Sequence, residues 1–189
     1  TDNPDELAEA DIYIIAVSDK AVESVASSLK FPDDAVVVHT AGSVPMSAIR
    51  GREGRRGILY ALQSFSAGRH ISLGDVPIFV EADNDEVRDM LLSFARKLSS
   101  EVDYADSERR RTIHLAGVFV NNFANHLFAL GADIVEEEGM RYDILKPLIR
   151  ETADKATSVD EPEKVQTGPA VRGDRAVTEK HIAMLQKSV

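Results

Sequence analysis

The feature that most constrains the fold is a strand–helix–strand pattern in residues 11–39. Residues 11–17 (DIYIIAV) are apolar, rich in β-branched side chains and followed at once by Ser18 and Asp19, which is typical of a buried strand that leads into a capped helix. Apolar residues then recur at helical spacing, and residues 35–39 (AVVVH) predict a second strand. Such a short βαβ unit places both strands parallel in one sheet, so the sequence predicts an α/β fold.

Two further strands are predicted in the first half, at residues 57–62 (GILYAL) and 77–81 (PIFVE). The second of them leads into a helix capped near Asp83 or Asn84, which we expect to run to about residue 98 because its apolar positions lie on one face. We predict that this α/β domain covers residues 1–105.

The second half predicts helices alone, in a domain of residues 106–189. A long helix is expected from residue 107 to 138, with Gly139 as the residue that ends it. Another helix is expected at residues 143–157, and the last one begins after Asp174.

Composition excludes several classes of partner. The chain carries 22 Lys and Arg against 32 Asp and Glu, a net charge of −10, and neither half is basic, which argues against nucleic acid and anionic membranes. It contains no Cys, which suits a reducing compartment such as the cytoplasm. No apolar run reaches the roughly 18 residues of a membrane span. No His or carboxylate spacing is typical of a metal site, so we predict none.

The ends of the first two strands are the predicted ligand-binding positions. In open parallel sheets, ligands bind beyond the carboxyl ends of the strands, where small residues allow close approach to the backbone. Tight turns are the alternative explanation of these small residues. The two adjacent loops comprise Ala16, Val17, Ser18 and Asp19, and Thr40, Ala41, Gly42 and Ser43.

The G-x-G-x-x-G fingerprint of dinucleotide binding is absent, and we interpret the glycine-rich stretch at residues 51–57 (GREGRRG) as a solvated loop. A preceding β-α-β portion outside this sequence is the simplest explanation, so we expect the chain to be a fragment.

A polar stripe follows one face of the long predicted helix. Uncharged amide and imidazole groups are costly to bury without hydrogen bonds, so the stripe indicates either the wall of a polar cleft or a network inside a bundle or dimer. The histidines are the candidate acid–base groups, because imidazole titrates near neutral pH. With about 100° per residue, the stripe contains His114, Asn121, Asn122, Asn125 and His126.

Six ordered stretches together carry a family resemblance: ADIYIIAVSD, VVHTAGSVPM, GILYALQSFSAGR, DSERRRTIHLAGVFVNNFANHLFAL, LKPLIRETADKA and QTGPAVRGD. They resemble the bacterial Rossmann-like NADP oxidoreductases with a helical C-terminal domain of unknown function, which are more distantly similar to pyrroline-5-carboxylate reductases. The resemblance implies a partial Rossmann-like parallel sheet followed by an all-α domain with one long helix. It also implies a homodimer. Members of that family usually begin with a glycine-rich βαβ unit, so the resemblance agrees with the expectation that this sequence is a fragment.

The resemblance further implies a nicotinamide cofactor, NADP or NAD, along residues 16–19 and 40–42. His114 falls where related reductases and dehydrogenases carry a catalytic lysine, and Asn122 falls where some carry an asparagine. The lysine itself is absent. We therefore expect hydride transfer to a small carbonyl or imine substrate, with His114 as proton donor, Asn122 and Asn125 orienting the substrate, and Ser43 assisting. A dinucleotide-sensing or oligomerisation module without turnover is the alternative.

Overall fold

The structure, a computed structural model, describes residues 7–186 and contains a five-stranded sheet followed by helices. The strands lie in the sheet in the same order as in the chain. They are β1 (Ile12–Ile15), β2 (Val36–His39), β3 (Arg56–Ala61), β4 (Ile78–Ala82) and β5 (Val102–Tyr104).

The first three strands run parallel, and their carboxyl ends therefore meet at one edge of the sheet. Ile15 of β1 lies beside His39 of β2, which in turn lies beside Ile58 of β3. This arrangement confirms the predicted βαβ unit. Strand β4 is antiparallel to β3 and parallel to β5, so the sheet is mostly parallel with one antiparallel pairing.

Helices α1 (Val22–Ser28) and α2 (Asp85–Ala95) follow β1 and β4. Asn84 caps α2, because its Oδ1 accepts a hydrogen bond of 3.0 Å from the backbone N–H of Val87. The buried face of α2 packs on the sheet through Val87, Leu91 and Ala95. This helix ends three residues earlier than predicted, and the chain then forms β5, a three-residue strand that the sequence pattern did not predict.

The long helical segment is interrupted. Helix α3 (Ser107–Gly117) passes into a π-helical stretch, Val118–Phe123, and then into α4 (Ala124–Glu137). Gly139 has a φ of 73° and ends the helix as predicted. The N–H of Gly139 bonds to the carbonyl of Glu136, and the N–H of Met140 bonds to that of Val135, which is the Schellman pattern.

Two further helices complete the fold. Helix α5 (Lys146–Thr157) tolerates Pro147 because the residue lies in its first turn, where the backbone N–H has no helical partner. Helix α6 (Arg175–Leu185) is capped by Asp174, whose Oδ1 accepts from the N–H of Val177 at 3.2 Å. Among residues 7–186, no helix is long and apolar enough to cross a membrane.

The chain divides into two compact units, one ending at Asn121 and the other beginning at Asn122. The division falls within the π-helical stretch, whereas the predicted domain boundary after residue 105 falls at the start of the same helical segment. That domain boundary stays a prediction. The sheet and α3 belong to the first unit, and α4, α5 and α6 belong to the second.

Candidate active site

The two loops predicted to bind a ligand are bonded to each other at the carboxyl edge of the sheet. The hydroxyl Oγ of Ser43, beyond β2, donates a hydrogen bond to the carboxylate of Asp19, beyond β1. Ser18 precedes the short 3-10 turn Asp19–Ala21 without a side-chain hydrogen bond to it. The Asp19 carboxylate therefore joins the loop after β1 to the loop after β2.

A cavity of ≈ 580 Å³ lies at this edge, within the volume range of small-molecule sites. Every predicted cofactor-binding residue except Ser18 lines it. Gln63 and Phe65, which follow β3, also line it, and Asp19 is the one charged residue in the described lining. The predicted residues of this edge are Ala16, Val17, Asp19, Thr40, Ala41 and Gly42.

Gly42 lies where the loop after β2 (residues 40–43, called the β2 loop) meets β3 and α3. A Cβ atom built on Gly42 would lie 2.8 Å from the His114 Cγ and 2.9 Å from the Tyr60 Cε2, and closer still to the His114 Nδ1. These distances are too short for non-bonded carbon atoms, so a glycine is required for close approach. The structure thus brings together Gly42 and His114, which the sequence predicted separately.

His114 and Tyr60 contact each other beside this glycine. The Tyr60 hydroxyl and the His114 Nδ1 are 3.2 Å apart, and the two rings meet edge to face with centroids 5.9 Å apart. Tyr60 also lines the cavity, and burial raises the pKa of its hydroxyl. The phenol therefore stays protonated at neutral pH.

A buried ion pair between α3 and β4 holds the β2 loop in place. Arg110 of α3 is 1 % exposed, and its Nε donates to the Glu81 Oε2 of β4 at 3.0 Å. The same guanidinium donates to the carbonyls of Ala41, at 3.2 Å, and Gly42. Ser107 donates to the other carboxylate oxygen of Glu81. Because both charges and their hydrogen-bonding groups are satisfied, this pair holds the loop in one conformation.

His39 stabilises the same loop from its other end. Its imidazole is fully buried, its Nδ1 accepts from the N–H of Ala41 at 3.2 Å, and its Nε2 lies 3.4 Å from the carbonyl of Pro45. Burial is the main cause that lowers the pKa of His39, and the positive charge of Arg110 acts in the same direction. The ring is therefore neutral at pH 7 and shapes the loop.

The polar stripe was predicted for one regular α-helix, but a π-helical stretch interrupts the helical segment that carries it. The angle of about 100° per residue does not hold through Val118–Phe123, because a π-helix turns less per residue than an α-helix. His114 lies before this stretch, Asn122 within it, and Asn125 and His126 after it. The roles predicted for Asn122 and Asn125 stay predictions.

The chain matches one family of known proteins and is similar to several solved structures. The sequence profile of a domain of unknown function, DUF2520, matches residues 76–189. A solved structure from Bacteroides fragilis, described as a "putative NADP oxidoreductase", is 36% identical, with a TM-score of 0.83, over 98% of this chain and 72% of that one. The chain belongs to the DUF2520 family.

Two other solved structures share the fold of this DUF2520 protein. A protein from Thermotoga maritima is 23% identical, with a TM-score of 0.80 over 96% of this chain and 72% of that one. A pyrroline-5-carboxylate reductase from Coxiella burnetii is 16% identical, with a TM-score of 0.51 over 93% of this chain and 70% of that one. The fold is thus α/β and Rossmann-like with a helical C-terminal part. None of the curated proteins compared with the chain matches it.

Sequence reasoning missed three residues of this DUF2520 site: Tyr60, Glu81 and Arg110. Arg110 lies four residues before His114, so both side chains share one face of α3, and this spacing was a usable signal. Glu81 is a single carboxylate in an apolar strand, which indicates a buried partner. The partner itself is 29 residues away in the chain, and only the fold brings the two together.

The buried His39 predicts a specific pH dependence of stability in this DUF2520 protein. Its pKa is lowered on folding, so below about pH 6.5 the unfolded chain binds the proton that the folded chain excludes. We expect this contribution to the free energy of unfolding to be complete above pH 6.5. It should fall by up to about 1.4 kcal/mol per pH unit as the pH decreases below that value.

Urea unfolding of the wild type and of His39→Gln from pH 5 to 8 measures this slope. His39→Gln should lose the part of the pH dependence of the unfolding free energy that His39 contributes. The matched variant His70→Gln changes an exposed histidine and should keep the wild-type slope. Identical slopes in the wild type and His39→Gln would contradict the assignment.

Proposed function

We propose that this protein is an NAD(P)-dependent oxidoreductase that transfers a hydride between a nicotinamide cofactor and a small carbonyl or imine substrate. The observation that carries the proposal is the convergence of His114 and Tyr60 on Gly42, beside a cavity at the carboxyl edge of the sheet. The 36% identical solved structure described as a "putative NADP oxidoreductase" supports it.

The residues at this edge fit part of a dinucleotide. Ala16 and Ala41, which line the cavity, have small side chains, so a flat ring can approach the backbone closely there. The described lining carries one acidic and no basic side chain, which suits the uncharged ring and ribose better than phosphate groups. In this proposal, Thr40 and Asp19 offer oxygen atoms to the ribose hydroxyls, and the bound cofactor supplies the hydride.

The protein's own contribution is position and a proton. In this proposal His114 is the proton donor to the substrate oxygen or nitrogen, a role that His fills because it titrates near neutral pH. Asn122 and Asn125 orient the substrate, and Ser43 assists from the β2 loop. The cytoplasm is the proposed compartment, because a chain without Cys suits a reducing environment.

Cofactor titration is the direct test of this function. The purified protein is titrated with NADPH and NADH and then assayed for oxidation of the reduced cofactor with a panel of small aldehydes, ketones and cyclic imines. We expect saturable binding of one or both cofactors and oxidation with at least one substrate. Absence of cofactor binding contradicts the proposal, and the preferred cofactor decides between NADP and NAD.

Substitution of His114 by Ala should separate chemistry from binding. We expect kcat to fall by about 10²-fold or more, the usual contribution of a general acid, with cofactor affinity nearly unchanged. Steady-state kinetics and a fluorescence titration with NADPH measure the two quantities. The exposed His70→Ala is the matched control and should behave like the wild type. Loss of stability in parallel with activity would favour a structural role for His114.

The second candidate function is a dinucleotide-sensing or oligomerisation module without turnover. The helical unit favours it, because α4, α5 and α6 contain no buried residue in the described chain. Tight NADPH binding without oxidation by any substrate in the panel would support the sensor. Turnover with a single substrate would contradict it.

Under either function, we propose that the chain forms a homodimer through the helical unit. Leu127 of α4 and Leu148 of α5 are each 65% exposed, and an apolar surface of this kind is typical of an interface. A second copy is the occupant we propose. Sedimentation equilibrium should give twice the chain mass, and Leu127→Glu should reduce it to that of a monomer. A monomeric wild type would contradict the proposal.

A further inference from the structure

Tyr60 and His114 form a hydrogen-bonded pair of which one member is on β3 and the other on α3. The bond occupies the Nδ1 of His114 and leaves its Nε2 as the nitrogen available to a substrate. Tyr60 is 8% exposed and lines the cavity.

The direction of this bond decides what the pair can do. In the tautomer with the imidazole proton on Nε2, the Tyr60 hydroxyl is the donor and the His114 Nδ1 the acceptor; in the other tautomer the direction is reversed. Burial raises the pKa of Tyr60, which keeps the hydroxyl protonated.

Burial opposes loss of the Tyr60 proton, and one nearby positive charge offsets part of that effect. Arg110 lies beneath the same loop, and its positive charge favours the phenolate form of Tyr60, whereas the carboxylate of Asp19 opposes it. A phenolate that forms for a short time next to Arg110 is therefore less costly than the same anion in an apolar site.

We propose that Tyr60 and His114 form a proton relay, in which the Tyr60 hydroxyl proton moves to the His114 Nδ1 while the Nε2 proton moves to the substrate. The inference rests on the proposed function. A bound reduced nicotinamide would supply the hydride: its own C–H bond would break as the new C–H bond of the substrate forms, and the ring would be left oxidised. The carbonyl π bond breaks, and its oxygen takes the Nε2 proton to become a hydroxyl. Tyr60 is left as phenolate and His114 as the Nδ1–H tautomer. Water then returns a proton to Nε2 while the Nδ1 proton moves back to Tyr60, which restores the starting state.

The relay assigns Tyr60 a positioning and proton-supplying role through His114. Simple packing of the ring against His114 is the competing explanation, and Tyr60→Phe keeps that packing while it removes the hydroxyl. Tyr13→Phe is the matched control, because its hydroxyl also bonds within the first unit, to the carbonyl of Ala8 at 2.8 Å.

Nitrogen-15 NMR of the histidine-labelled protein tests the bond without any substrate. At about pH 9, where imidazole is neutral, the His114 signals should show a protonated Nε2 and an unprotonated, hydrogen-bonded Nδ1. Tyr60→Phe should shift the Nδ1 signal toward that of a free nitrogen, and Tyr13→Phe should leave it in place. A protonated Nδ1 in the wild type would overturn the relay.

Kinetics in mixtures of H₂O and D₂O test the transfer itself. The wild type should give a curved dependence of kcat on the deuterium fraction, as expected for two protons in motion. Tyr60→Phe should give a linear dependence and a kcat lower by about 10²-fold, the usual effect of losing acid–base assistance. Equal curvature and kcat in both proteins would overturn the relay. A protein with the expected NMR signals but no hydride transfer would contradict the proposed function instead.

Discussion

Replacing Gly42 with Ala is expected to lower turnover by about 10²-fold or more, because catalytic groups displaced by about 1 Å lose that much rate. The new methyl group would overlap the rings of His114 and Tyr60, which lie within 3 Å of its position. Overpacking of this kind typically costs about 1–3 kcal/mol of stability. Steady-state kinetics and urea unfolding measure the two effects.

The control for this substitution is Gly74→Ala. A Cβ atom at Gly74 would have its nearest neighbour, the Ser72 Oγ, at 3.5 Å, which is an ordinary contact. This variant should keep the activity and stability of the wild type. Normal turnover in Gly42→Ala would show that His114 can move without loss of function, which contradicts the arrangement proposed for the site.

Replacing Arg110 with Met is expected to cost about 3–5 kcal/mol of unfolding free energy. The substitution leaves the Glu81 carboxylate buried without its partner and removes the donor to the carbonyls of Ala41 and Gly42. The β2 loop should loosen, and we expect cofactor affinity to fall with stability. Urea unfolding and NADPH titration measure both losses.

Two further variants test the cause of the stability loss in Arg110→Met. Arg109→Met changes the neighbouring, exposed arginine and should leave stability near the wild-type value. The double variant Arg110→Met with Glu81→Met removes both buried charges and should recover a large part of the lost stability, since no unpaired charge remains. If the double variant were as unstable as Arg110→Met alone, the unpaired carboxylate would not be the cause.

Much of the sheet follows from local sequence pattern. The run of β-branched residues before Ser18 and the run that ends at His39 are long enough and apolar enough to predict buried parallel strands. Strand β5 has three residues and ordinary polarity, so its backbone pairs with β4 only because α2 returns the chain to that edge. A strand of three residues is too short for any sequence periodicity to predict it.

The sequence by itself determined the βαβ unit, the two loops at its carboxyl edge and the helix boundaries at Gly139 and Asp174, because each depends on residues close together in the chain. It left Asp83 and Asn84 as alternative caps of α2, and the structure shows that the cap is Asn84. The tertiary structure alone decided that Tyr60 would contact His114 and that Glu81 would pair with Arg110. Such contacts join residues that are far apart in the chain, and local propensity carries no information about which distant side chain will fill a given position. The fold selects them by packing α3 against the end of the sheet.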